Sequence, residues 1–273
     1  MEEANAWRHP VDLISILAEA FERLPATVKE GQRARAERGE WHGRDDLLAS
    51  LLGDNPQDIA DAMLDALRAG CALTELAACV SYSAALRIAH FHTSNEFPDW
   101  DTALHTFSFA NAVEQGLRRA PSVELLRGVF DGAMSVYLDR FLNIPAARIP
   151  QPTGKAEDAA ALLAEFPALL DRQQQVNQAG DRVARYLSND GQPEKLLAMI
   201  GKLLLREDRD FHTIQTVEGA FKRYALWRGT EAGTHALIAA VRYLAAHSPT
   251  VRAQEQTFSI AQRLYRGERL FTD

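Results

Sequence analysis

The chain has 273 residues, 47% of them hydrophobic, with a formal net charge of −7 and a pI near 5.7. That length and apolar content suit one large domain or two small ones joined closely, and they set disorder aside for most of the chain. The acidic balance, with basic residues scattered among acidic ones, argues against a nucleic-acid surface built on phosphate contacts. The run Gln32-Arg-Ala-Arg-Ala-Glu-Arg38 is the one basic cluster and reads as a solvated helix end. Cys71 and Cys79 are the only cysteines, too few for a disulfide framework, and their Ala/Leu surroundings suit buried free thiols in a reducing cytoplasm. The acidic N-terminus and the absence of an apolar run of spanning length indicate neither a secretory signal nor a membrane anchor.

Apolar residues recur at helical spacing, and alternating Val/Ile/Thr runs bounded by hairpin turns are missing, so the expected fold class is all-α, a multi-helix bundle. The pattern predicts helices over Val11–Arg23, Arg44–Leu52, Pro56–Arg68, Leu73–Ala89, Asp99–Arg118 and Ser122–Leu142. After a break it resumes over Lys155–Asp171, Gln178–Leu187, Pro193–Leu205, Asp210–Trp227, Thr234–Ala246 and Pro249–Tyr265. Asp54-Asn-Pro and Ser122-Val-Glu supply side-chain acceptors for the unpaired N–H groups of a first turn, and Pro56 fits its first position. The break, Ile144 to Gly154, holds three prolines that forbid a continuous helix. It divides a single all-α domain into candidate halves, 1–143 and 155–273, joined by a proline-rich linker. The halves read either as distant copies, with His105-Thr-Phe echoing His212-Thr-Ile, or as two segments that merely share Leu/Ala periodicity. Copies would pack about a pseudo-twofold.

Leu73–Ala89 is apolar or small on nearly every face, as in the central helix of a bundle. On it Ser83, Arg87 and His90 fall at i, i+4 and i+7 and share one side. A buried arginine requires a partner, for which Glu96, Asp99 and Asp101 are the nearby acids. His90 and His92, two residues apart, diverge by about 160° on a helix, so irregular backbone is needed for both to reach one centre. Turn chemistry in Ser94-Asn-Glu-Phe-Pro-Asp then brings His105 back on the next helix.

Imidazoles with a carboxylate are the usual ligands of non-haem iron or catalytic zinc, although this spacing matches no compact metal motif. Arg87, His90 and Glu96 are the candidate catalytic groups; His92, His105 and His212 are the candidate metal ligands, for iron or another transition metal. The competing reading makes the same residues a hydrogen-bonded polar core with helix caps. His247 reads as a helix-end residue that complements the dipole, His9 and His42 as loop or cap residues, and Glu114, Glu218 and Glu231, in apolar helices, either supply carboxylates or face solvent. Phe91, Phe97, Trp100, Phe107 and Phe109 suit either core packing or a pocket for a flat apolar ligand. A Gly-rich phosphate loop, a nucleophile elbow, a paired Glu-x-x-His signature and Cys-x-x-Cys are all absent from the sequence.

The stretch Ala89-His-Phe-His-Thr-Ser-Asn-Glu-Phe and the following Leu104-His-Thr-Phe-Ser-Phe-Ala-Asn-Ala-Val-Glu-Gln-Gly-Leu resemble the all-α region found beside Rieske-type ferredoxin domains in some bacterial proteins. They are also distantly similar to the questin-oxidase-like family, a resemblance that spans much of Arg44 to Tyr265. It implies oxidation of an aromatic or otherwise apolar small molecule, with the histidines in the working interior. A Rieske centre needs two cysteines and two histidines in paired motifs. Cys71 and Cys79 lie in no such context, so the resemblance implies a separate electron-transfer protein. Two functions thus stand side by side: an oxidoreductase working in a histidine-lined pocket, and a non-catalytic helical scaffold or ligand-binding domain. The sequence sets no oligomeric state.

Overall fold

The computed structural model describes residues 11–151, 154 and 156–269. Among them every regular element is helical, so the protein is all-α. The chain divides into two compact units, Met1–Ala147 and Arg148–Asp273. The division falls inside the proline-rich stretch.

Unit 1 holds α1 (Leu13–Arg38), α2 (Arg44–Leu51), α3 (Pro56–Arg68), α4 (Leu73–Ala89), α5 (Phe97–Arg119) and α6 (Val123–Leu138), the last tightening into a 3-10 turn over Asp139–Asn143. The starts follow the expected chemistry. Asn55 accepts from the Gln57 N–H at 3.0 Å ahead of Pro56, and Ser122 accepts from the Leu125 N–H at 3.1 Å. Helix α4 is buried from Leu76 to Ala89 except at Leu86 and packs against α5, α6 and α2, so it is the central helix of its unit.

The expected stop at Arg23 is corrected: α1 runs through Pro25 to Arg38. An interior proline removes a ladder bond and crowds the preceding turn. Here the cost is met by the apolar stripe Leu13, Leu17, Ala20 and Leu24, with Thr27 and Gly31 continuing it against α3. The helix expected to reach Leu142 also ends early, at Leu138, and the change of pitch re-aims Asp139, Arg140 and Asn143.

Unit 2 contains α7 (Ala159–Ala164), α8 (Phe166–Leu170), α9 (Val176–Ser188), α10 (Pro193–Arg206), α11 (Phe211–Leu226), α12 (Glu231–Ala246) and α13 (Ala253–Tyr265). The single helix expected over Lys155–Asp171 is instead two short ones, divided at Glu165 ahead of Pro167. Helix α12 is buried over almost its whole length between α9 and α11, and Thr230 caps it by accepting from Gly233. No helix among the described residues is long and apolar enough to cross a membrane.

Candidate functional site

The C-terminal end of α4 is tied to the segment that follows α6. The ladder of α4 stops at Ala89, and His90 is its C-cap. The His90 carbonyl accepts from the Ala147 N–H at 2.7 Å, while Nδ1 of the same histidine donates to the Ala147 carbonyl at 2.7 Å. Asn143 Nδ2 donates to the Arg87 carbonyl at 3.0 Å, and Asn95 Nδ2 donates to the Leu142 carbonyl at 2.8 Å. His92 Nε2 meets the Pro145 carbonyl at 3.1 Å, and its Nδ1 accepts from the Ser94 N–H at 3.2 Å. These bonds hold residues 142–147 as part of unit 1 and satisfy carbonyls that the end of α4 leaves unpaired.

Between that strap and α4 lies a cavity of about 740 Å³. Its apolar walls are Leu52, Phe141, Ile144 and Ala146, and its polar residues are Arg87, His90, Arg140, Asn143 and Asp54. Arg87 is only 9% exposed. Its Nε donates to the Val136 carbonyl at 3.2 Å, whereas its Nη2 is buried with no hydrogen-bond partner among the described residues. Arg140 donates from Nη1 to the Tyr137 carbonyl at 2.8 Å and from Nη2 to the Tyr137 hydroxyl at 2.9 Å, with its guanidinium over the Tyr137 and Phe141 rings. Both arginines therefore meet carbonyls at the end of α6, where a cation also complements the helix dipole.

The electrostatics follow from burial. Loss of water holds Arg87 below the ordinary arginine pKa, with Asp139 pulling it back up and Arg140 pushing it further down. Asp139, 4% exposed, is pushed up to about 7 by burial, against the opposing effects of its hydrogen bond with Thr106 and the charge of Arg87. Asp54 is exposed and lies 3.8 Å from Arg140 Nε. Among the charged residues that line the cavity, Arg87 and Arg140 thus outnumber Asp54.

Of the candidate residues, the structure brings Arg87 and His90 to this one cavity. It gives Arg87 other partners than Glu96, Asp99 and Asp101, because those acids are engaged elsewhere. Glu96 is the exposed N-cap of α5, whose backbone N–H donates to Asp99 at 3.0 Å, and Asp101 faces His105 at 3.6 Å on the same helix. Neither Glu96 nor His92 is among the cavity residues. The His105 side chain is 57% exposed. His212 belongs to unit 2, at the first turn of α11, 3.7 Å from Asp210. Phe91, Trp100 and Phe107 are buried core, with Phe91 edge-on to Trp100, while Phe97 and Phe109 are exposed.

Other expectations resolve simply. His247 is the C-cap of α12, its Nδ1 at 2.8 Å from the Tyr243 carbonyl. Glu114 pairs with Arg118 at 2.9 Å, and Cys71 and Cys79 are buried thiols outside any disulfide, burial pushing the Cys71 thiol up. A second cavity, about 660 Å³, lies in unit 2 beside Tyr224 and His235; its lining includes no lysine or arginine among the described residues.

The sequence reading missed Asp139, Arg140 and Asn143. The signal available was the charged run Asp139-Arg-Phe-Leu-Asn143 just ahead of the prolines, where a helix gives way to turn-forming residues. Comparison with protein-family models, with curated proteins and with solved structures finds no match for the chain.

Proposed function

We propose that unit 1 binds a small organic molecule in the cavity at the end of α4 and acts on it by proton transfer through His90. The observation that carries this is Arg87: a buried arginine, one of whose nitrogens has no hydrogen-bond partner among the described residues, lines the same cavity as the His90 imidazole. Buried polar groups are normally paired, and an arginine kept only to cap α6 would gain by closing its remaining donors onto protein oxygens. His90 donates from Nδ1 to Ala147, so a neutral ring carries its lone pair on Nε2, the arrangement of a general base. Leu52, Phe141 and Ile144 supply an apolar wall for the body of the ligand.

An oxidation of an apolar or aromatic compound would use the same cavity and would add an electron acceptor. The transition-metal form of that reading draws on His92, His105 and His212, and the two ring nitrogens of His92 already serve the Ser94 and Pro145 backbone.

Ligand-observed NMR on tag-free protein with a panel of one- and two-ring aromatic compounds tests the site. Ala146 is exposed at the cavity edge, so Ala146→Trp is expected to fold and to occlude it. Binding to the wild type that is lost in Ala146→Trp supports the site. No binding, or binding unchanged by the tryptophan, returns the unit to a scaffold role.

A further inference from the structure

We infer that the ligand of this cavity is a singly charged organic acid whose carboxylate is received between Arg87 and Arg140. The inference rests on the preceding reading that the cavity is the binding site. A guanidinium carries five N–H donors in a planar fork matched to a carboxylate. Capping of α6 uses the Nε of Arg87, and Arg140 spends one bond from each Nη on Tyr137. Donors remain on both, and the Nη2 of Arg87 has no acceptor among the described residues. Arg140 is also held rigid by the rings of Tyr137 and Phe141, with centroids 3.7 and 4.0 Å from its guanidinium carbon, so little side-chain freedom is lost on binding.

The charge count selects the ligand class. Arg87 and Arg140 line the space, against Asp54 at 3.8 Å from Arg140 and Asp139 near Arg87. Asp54 offsets part of the positive charge, and Asp139 offsets more as it ionises. With Asp139 protonated the balance is about one positive charge, which suits one negative charge better than the two of a phosphate monoester, and the apolar wall of Leu52, Phe141 and Ile144 gives an organic body somewhere to go. Burial of the guanidinium strengthens its bond to a carboxylate relative to the same pair in water.

The test is a titration of benzoate, phenylacetate and 2-naphthoate, with their primary amides and inorganic phosphate as comparators, into the full chain at low salt. Arg140→Gln is the working variant, because Arg87 is buried and its replacement risks the fold. Arg119→Gln makes the same charge change at an exposed position, and Ala146→Trp blocks the cavity. The expected result is that at least one acid binds roughly tenfold or more tightly than its amide. That preference is lost in Arg140→Gln, kept in Arg119→Gln, and all binding is lost in Ala146→Trp. Acids and amides that bind equally, both sensitive to Ala146→Trp, would overturn the carboxylate and leave the cavity standing. Phosphate binding more tightly than every acid would likewise overturn it. If no compound binds the wild type, both the inference and the reading beneath it fall.

Discussion

Asp139 is a carboxyl group 4% exposed, and its protonation has a thermodynamic consequence for the whole unit. Burial pushes it up to about 7 from the ordinary aspartate value of 3.8, so between those limits the folded chain holds a proton that the unfolded chain has released. Stability should therefore fall as pH rises from about 4 to about 7 and level off above that. The ceiling of this contribution is on the order of 4 kcal/mol. Asp139→Asn keeps the shape and a group able to bond Thr106 while removing the titration. Urea denaturation at pH 5, 6.5 and 8 should show the slope flattened in the variant and its stability above that of the wild type at pH 8. Parallel pH profiles for the two proteins would refute the assignment. Arg87 and His90 were legible in the sequence because helical periodicity alone puts i and i+3 on one side of a helix. Arg140 and Asn143 were not, because their directions depend on a change of pitch after Leu138 that no local pattern announces. The contacts of His92 were not legible for a related reason: its Nε2 meets the Pro145 carbonyl, which lies beside it only when the strap over residues 142–147 is in place.

At the scale of elements, Pro56–Arg68 and Leu73–Ala89 emerge with the limits that capping and periodicity predict. Pro56–Arg68 has a start signal at Asn55, Leu73–Ala89 begins at Ala72 without a side-chain cap and is set by its apolar run, and both stop at turn residues, so local and global preferences agree. Helix α1 shows the opposite case, since local rules end it at Arg23, before Pro25, and tertiary packing carries it on to Arg38. The packing is close: a Cβ added at Gly31 would stand 2.0 Å from the Leu67 carbonyl oxygen, a backbone atom that cannot turn aside. Gly31→Ala should raise the intrinsic helix propensity of α1 and yet destabilise unit 1, because α1 must move away from α3. Overpacking of this kind costs about 1–3 kcal/mol or more, well above the propensity gain. A urea midpoint raised by the alanine would show that the approach of α1 to α3 is not tight.

Across the whole molecule, each unit has the parts of an independent fold: a helix buried almost throughout, flanking helices with one apolar face, and a length near the common domain size. Gly233 gives unit 2 a counterpart to Gly31, since an added Cβ there would meet the Trp227 carbonyl oxygen at 2.4 Å. The pair permits a test of autonomy by calorimetry on the intact chain. If each core melts on its own, the wild type gives two transitions, Gly31→Ala lowers one, and Gly233→Ala lowers the other. For domains of this size a loss of 1 kcal/mol moves a midpoint by roughly 2–8 °C, which is resolvable. The double variant should then show both shifts unchanged, as expected for sites that share no partner. One transition lowered by either substitution would mean that the cores unfold together. The measurement also bears on function, because a ligand of the unit 1 cavity stabilises only the state that binds it. With autonomous cores, an arylcarboxylate should raise the transition sensitive to Gly31→Ala and leave the one sensitive to Gly233→Ala in place.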